Sequence, residues 1–265
     1  MTLIRSMLRG LARRSFQPII IAAVTLAFQT SAWPQSGLLT PTDEARMYQI
    51  LPFGYVDAAA VWPFYAIQVC WREDYDNWSR EKKLSEDAVR DLIVVAAKSG
   101  YRFDGWSVCA GDRQPRIEVL VDLSRPNSLV GRQRTQTAFG RREASTLVHL
   151  NFADYCPADE FRNNCLKIVA VHEFLHALGF LHEHLRDEAR RLNPTCVEGN
   201  SADMQKDTTG VRPLKVTDYD DDSIMNYCVF PNRYRQPARL SPRDVESIEK
   251  ISYVTRMKIQ GQVRD

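Results

Sequence analysis

The sequence has no two cysteines in a CxxC spacing, no apolar run long enough to cross a bilayer, no period of 20 to 50 residues and almost no net charge. Each absence closes a class of answers. Without a CxxC pair, cysteine-bound zinc and thiol redox chemistry are poor readings. Without a repeat, a solenoid is not expected. The formal charge is +2 over 265 residues, but residues 1–32 carry Arg5, Arg9, Arg13 and Arg14 and no acidic residue. Beyond them, 31 basic residues face 33 acidic ones, a net of −2. A nucleic-acid binder normally gathers a basic excess on one face, so no nucleic-acid partner is expected. What is present, 44% hydrophobic and 10% aromatic residues, suffices for one good core and excludes a disordered or collagen-like chain.

The four early arginines precede an apolar run from Pro18 to Phe28 and small residues ending Thr30-Ser31-Ala32. That is the layout of a cleavable export signal, with a cut after Ala32. Eleven residues are too few to span a membrane as a helix, so no stable membrane insertion is expected once the signal is removed. The expected destination is secreted or periplasmic. Arg13-Arg14-Ser15-Phe16 resembles a twin-arginine signal, with Gln17-Pro18 departing from its usual continuation. The six cysteines all follow residue 32, where thiols can oxidise. Fifteen pairings are possible; proximity favours Cys156 with Cys165, and the order of elements favours Cys70 with Cys109 and Cys196 with Cys228.

Three segments are expected: an export signal over 1–32, an irregular lead-in or short pro-segment over 33–60, and the main folded domain over 61–265. The lead-in mixes Pro34, Pro41 and Pro52 without periodicity. Ile67, Val69 and Trp71 alternate as in a half-buried strand, whereas Val89, Leu92, Ile93 and Ala96 repeat at helical spacing, with Ser85 as a cap and Gly100 as a stop. Further strands are read at 117–121 and 148–152, and weaker ones at 102–108 and 134–138. Leu166 to Leu181 is helical in pattern. A last helix opens with Ser241 as cap, Pro242 at its first position and Asp244 reaching back, burying Val245, Ile248 and Ile251. The fold class is α+β.

Four of the five histidines lie between His172 and His184. On a helix, residues four apart differ by about 40° in direction and about 6 Å in height, so His172 and His176 can share one metal ion. Glu173 projects close to the same side, within reach of a water at that ion. A catalytic zinc site takes three protein ligands and keeps a fourth position open. Gly179 can take a positive φ and end the helix sharply, letting His182 swing back as the third ligand. Independent placement would produce H-E-x-x-H-x-x-G-x-x-H on the order of a few times per million chains of this composition.

This spacing resembles that of the metzincin zinc endopeptidases, and Glu183-His184 after the third histidine resembles the astacin branch. Ser223-Ile224-Met225-Asn226-Tyr227 looks like the astacin Met-turn, with Asn226 where many members carry His. The resemblance implies a two-lobed domain: a twisted, mixed five-stranded sheet with the active-site helix above, and the Met-turn and C-terminal helix below. It implies one catalytic zinc ion, Met225 as an apolar floor beneath it, Tyr227 as a movable fifth ligand that hydrogen-bonds the tetrahedral intermediate, and Glu183 in contact with the newly formed N-terminus. The activation motif of the family is missing before Trp62.

The expected function is a secreted zinc-dependent endopeptidase acting on a protein or peptide, with Glu173 as general base. The alternative is a catalytically silent, zinc-stabilised binding protein. Oligomeric state is not legible. His149 reads as structural or cleft-edge, and Asp218, Asp220, Asp221 and Asp222 as a solvated turn rather than a calcium loop. Arg132, Arg134, Arg141 and Arg142 read as charges guarding an edge strand. Arg233 and Arg235 follow the Met-turn, where the family places the pocket for the residue after the cut, and suggest an acidic preference there.

Overall fold

The structure, a computed structural model, describes residues 55–262 apart from 73–75, 112–114, 138–139, 200–214 and 216. The expected export signal, and the lead-in as far as residue 54, lie outside the described residues. Strand β1 (Ala66–Trp71) points Ile67, Val69 and Trp71 into the core, as the alternation requires. It is flanked in parallel by β2 (Arg102–Val108) and β3 (Ile117–Val121). A parallel β7 (Thr146–Leu150) follows beside β3, and the short β4 (Asn127–Ser128) closes that side antiparallel to β7. The mixed five-stranded order is β2-β1-β3-β7-β4. Strands β5 (Gln133–Thr137) and β6 (Gly140–Ala144) form a separate antiparallel pair, absorbing the weaker strand expected at 134–138.

Helix α1 (Ser79–Ala88) runs on into π-helical turns over Val89–Ala96. Ser85 is therefore not a cap: it lies mid-helix, buried, with its hydroxyl donating to the Glu81 carbonyl at 2.9 Å. The helix starts six residues earlier, over Ser79-Arg80-Glu81-Lys82-Lys83, which holds no apolar residue, so no hydrophobic period marks that turn. Its far end also differs from expectation, since the chain already reverses at Lys98 (φ 48°) before reaching Gly100 (φ 75°).

Helix α2 (Arg162–Leu178) is buried on every side from Cys165 to Leu178 except at Lys167, the mark of a central helix. A bulge in the edge of the sheet helps to seat it. Gly105 takes φ 108°, where a Cβ would meet the Val69 carbonyl oxygen at 2.6 Å, and Trp106 follows at φ 52°. The register between β1 and β2 slips there, and the Trp106 ring stacks on Phe174 at 5.3 Å.

After α2 come the short helices α3 (Asp187–Leu192), α4 (Pro194–Gly199) and α5 (Phe230–Arg233), then α6 (Pro242–Ile259). The capping box expected at α6 is present: the Asp244 amide donates to Ser241 Oγ at 2.9 Å and the Ser241 amide to Asp244 Oδ2 at 2.9 Å. Ile248, Ile251, Val254 and Met257 of α6 join the same core cluster as Ile67, Val119 and Val148 of the sheet, so the two lobes share one continuous core. Val245 is only partly buried.

The lead-in boundary drawn at residue 60 falls inside this packed body. Val56 bridges Phe180, and the Asp57 amide donates to the Gly179 carbonyl at 2.9 Å. The Arg132 amide donates to the Ala60 carbonyl at 2.7 Å, and Lys258 of α6 to the Val61 carbonyl at 2.9 Å. Residues 55–60 thus pair with the end of α2, which no periodicity of their own announces. The disulfides are Cys70–Cys109, Cys156–Cys165 and Cys196–Cys228, the pairs the sequence favoured. Such bonds persist in oxidising compartments. Among the described residues no helix is long and apolar enough to cross a membrane.

Candidate metal centre

The centre begins where α2 stops. Gly179 takes φ 112°, a left-handed conformation that a side chain disfavours; its amide donates to the His176 carbonyl at 2.8 Å and the Phe180 amide to the Leu175 carbonyl at 3.0 Å. This is a Schellman ending, which satisfies carbonyls left over at a helix terminus. The next carbonyl, Ala177, accepts from the Trp62 indole at 2.7 Å. Beyond the glycine, Leu181 donates to the Tyr55 carbonyl at 2.9 Å and His182 is extended. The chain therefore folds back along α2 instead of extending it.

That corner brings three buried imidazoles together. Nε2 of His182 lies 3.0 Å from Nε2 of His176 and 3.3 Å from Nε2 of His172. Nδ1 of His172 meets the Ile224 carbonyl at 2.8 Å, and Nδ1 of His176 meets the Phe180 carbonyl at 2.8 Å. A carbonyl only accepts, so both Nδ1 atoms carry hydrogen and both rings, when neutral, turn a bare Nε2 lone pair inward. Burial first, then the neighbouring imidazoles, holds His172 well below the usual imidazole range. His182 is lowered likewise by burial first, then by His176, His184 and Arg125. Converging uncharged nitrogens, two of them on rings whose outer N–H is fixed by a carbonyl, are the donor set of a zinc site, and these three residues can hold one ion.

The turn at 223–227 supports the centre from below. Its Ile224 carbonyl holds His172, and its Met225 carbonyl accepts from the Glu183 amide at 3.0 Å, locking the segment after His182. Met225 is buried in the core. Tyr227 stacks near the cluster, its ring centroid 4.2 Å from that of His182 and 5.4 Å from that of His172. His184, fully buried, stacks on Tyr227 at 4.8 Å. Glu173, one position after His172 on α2, is buried as well.

Residues 160–257 match the family described as Astacin (Peptidase family M12A). Over those residues the chain is similar to the astacin peptidases. The chain is 34% identical over 113 residues to zinc metalloproteinase nas-2 of Caenorhabditis elegans, covering 42% of this chain and 36% of that protein. It is 28% identical over 137 residues to zinc metalloproteinase nas-3 of the same organism, covering 51% and 44%. It thus spans less than half the length of these curated relatives. Among solved structures, high choriolytic enzyme 1, a hatching-enzyme zinc protease of Oryzias latipes (medaka fish), aligns with TM-score 0.48 and 19% identity, over 74% of this chain and 96% of that one.

Glu183 has partners close by in the chain itself. Its Oε1 accepts from Arg186 at 2.9 Å and from the Asp220 amide at 2.9 Å. Burial pushes the Glu183 carboxyl up to about 7, against the pull of Arg186 and the Asp220 amide. Two sequence expectations fail here. Asp220 is no solvated turn residue: it is buried, accepts from the Ser241 hydroxyl and from the Asp222 amide at 3.0 Å, and ties the turn to the cap of α6. Arg233 does not face a pocket either, because its guanidinium is buried on Asp222 at 2.7 Å and on the Arg239 carbonyl at 2.8 Å.

Asp244 was legible only as a capping residue. Its carboxylate also accepts from the Ser223 hydroxyl at 2.6 Å and the Ile224 amide at 3.0 Å, so one side chain caps α6 and shapes the turn that holds His172. Burial raises its pKa, partly offset by those donors. His149 is structural as expected, its Nδ1 2.9 Å from Asp122 Oδ2. Arg132 is buried and does not guard an edge.

Proposed function

We propose that the chain is an exported zinc-dependent endopeptidase, with His172, His176 and His182 as metal ligands and Glu173 as general base. The observation that carries this reading is the convergence of three buried Nε2 atoms at 3.0 to 3.3 Å. A bound zinc ion would supply Lewis acidity there, polarising a carbonyl and lowering the pKa of water to about 7. Glu173 takes the proton of the attacking water and then delivers it to the leaving amine, one carboxylate serving as base and acid in turn. The phenol hydroxyl of Tyr227, whose ring already lies beside His182, donates to the developing oxyanion. Met225 and Gly179 position the ligands, the first through the turn beneath them and the second through the corner that returns His182.

The substrate is a protein or peptide bound extended along β4, the last strand of the sheet, where backbone hydrogen bonds can add a chain. Residues 1–32 act as an export signal, Arg13-Arg14 supporting a twin-arginine route, and the three disulfides suit the compartment reached.

Glu173→Gln tests the mechanism. Zinc should still bind at one ion per chain, and cleavage of casein should fall by about 10²–10⁴-fold, the usual worth of a positioned proton carrier. Full activity in that variant, or a parent protein that takes up zinc and cuts nothing, sinks the proposal.

A further inference from the structure

Tyr227 can stabilise an oxyanion only if its phenol is kept beside the imidazoles. The turn that carries it is tied twice to the segment that follows His182. Two residues before Tyr227, the Met225 carbonyl accepts from the Glu183 amide at 3.0 Å. One residue after it, Cys228 is bonded to Cys196. Cys196 lies on α4, which the chain reaches from Glu183 by way of α3. That route is itself anchored, because Arg186 donates to Glu183 and to the Thr217 carbonyl, each at 2.9 Å. Residues 183–196 and 225–228 thus make a ring closed by one hydrogen bond and one covalent bond, with Tyr227 on its short arm. Asn226, fully buried, stiffens that arm. Its Oδ1 accepts from the Cys228 amide at 3.0 Å, and its Nδ2 donates to the Tyr219 hydroxyl at 3.0 Å and the Asp221 carbonyl at 3.2 Å. The Tyr227 ring that results stacks at 4.8 Å on His184, a residue of the same ring of chain.

We propose that the Cys196–Cys228 disulfide and Asn226 are positioning elements for Tyr227, so that turnover depends on them while zinc binding does not. This rests on the peptidase reading and on the part Tyr227 plays in it. The three imidazoles are placed by other means: by α2, by the Gly179 corner, and by the Ile224 and Phe180 carbonyls that hold two of the rings. Tyr227 has no helix beneath it and sits on a turn, so its place is set by what closes that turn. A donor aimed at developing charge has to be accurate, since a misplacement of about 1 Å can cost about 10²-fold in rate. The disulfide supplies that accuracy in the residue next to the phenol, and its other end belongs to the segment whose first residues follow the third imidazole.

The test is a double-mutant cycle on the zinc-loaded protein, reading kcat and KM on a fluorogenic peptide, zinc per chain, and folding by circular dichroism. Tyr227→Phe should lower kcat about 10²-fold with KM nearly unchanged, the cost of one oxyanion donor. Cys196→Ser with Cys228→Ser should lower kcat about tenfold, again at constant KM and with zinc still bound. Asn226→Ala should lower it by less. In the Tyr227→Phe background neither change should have much further effect, because the side chain they position has lost its hydroxyl. Cys70→Ser with Cys109→Ser, which unties β1 from the end of β2, should leave kcat within about twofold. Losses that multiply in the Tyr227→Phe background overturn the proposal, as does an equal loss in the control pair or a loss of zinc with the disulfide. If the Cys196→Ser, Cys228→Ser protein does not fold, Asn226→Ala decides: a loss that persists without the phenol overturns the proposal, and one that vanishes supports it. Parental activity in Tyr227→Phe removes the oxyanion role, and this proposal with it, while leaving zinc and Glu173 in place. A parent that cuts no peptide sinks the peptidase reading itself.

Discussion

Two buried polar clusters meet at His182 and Glu183, and they are built on opposite rules. On one side, His172, His176 and His182 crowd Nε2 atoms together at 3.0 to 3.3 Å, with the outer nitrogens of two rings committed to carbonyls. On the other, Glu183, Arg186, Asp220, Ser223, Ser241 and Asp244 join donors to acceptors throughout: guanidinium to carboxylate, hydroxyls to carboxylates, amides to carboxylates. The second cluster meets its carboxylates with donors of the chain itself, and the first gathers lone pairs for a guest. Burial of polar groups is common to both, so burial alone does not mark a site. The balance of donors against acceptors does.

The contrast can be broken from either side. Asp244→Ala should have the largest effect, because it strips three donors of one buried carboxylate: about 3–5 kcal/mol of stability, read as a loss in urea midpoint, with zinc uptake failing alongside. His182→Ala should do the reverse, abolishing stoichiometric zinc binding by elemental analysis while costing the metal-free protein only about 1 kcal/mol. If His182→Ala unfolds the chain, the two clusters are not separable in this way. Gly179→Ala sits on the boundary. Forcing a side chain into the left-handed region costs roughly 1–2 kcal/mol, and the displaced corner should also weaken zinc binding, measurable by competition with a chelator.

A pH series sharpens the comparison further. His172 and His182 are lowered in the folded state, so their contribution to stability is complete above an unfolded pKa of about 6.5 and is lost as pH falls. Glu183 is raised to about 7, so its contribution is complete below the unfolded value of about 4.5 and is lost as pH rises towards 7. Glu183→Gln removes only the second effect. Relative to that variant, the melting temperature of the metal-free parent should decline between pH 4.5 and 7. A constant offset would mean Glu183 does not titrate in that window.

The imidazole cluster was legible in the sequence because its geometry is local: two residues on one helical face, one glycine, one return. The strands were legible by alternation, and all three favoured cysteine pairs agree with the structure. What escaped was tertiary. Ser79 to Lys83 begin a helix with no apolar residue to mark it, and residues 55–60 are held by backbone bonds that leave no composition signature. Asp220 and Arg233 carry the residue types of a solvated loop, yet they are buried because partners 21 and 11 residues away, Ser241 and Asp222, meet them there. Asp244 announced one role, capping α6, and its second role at Ser223 needed a contact across 21 residues.

The stretch from Tyr55 to Trp62 runs between the glycine corner and the last helix, giving up a carbonyl to each. Shortening the chain from its front is thereby limited by the molecule's own architecture. Trimming that passes Tyr55 removes the strut against which Leu181 is set, so the three-imidazole cluster carries a built-in gauge for how far the chain can be shortened from that side.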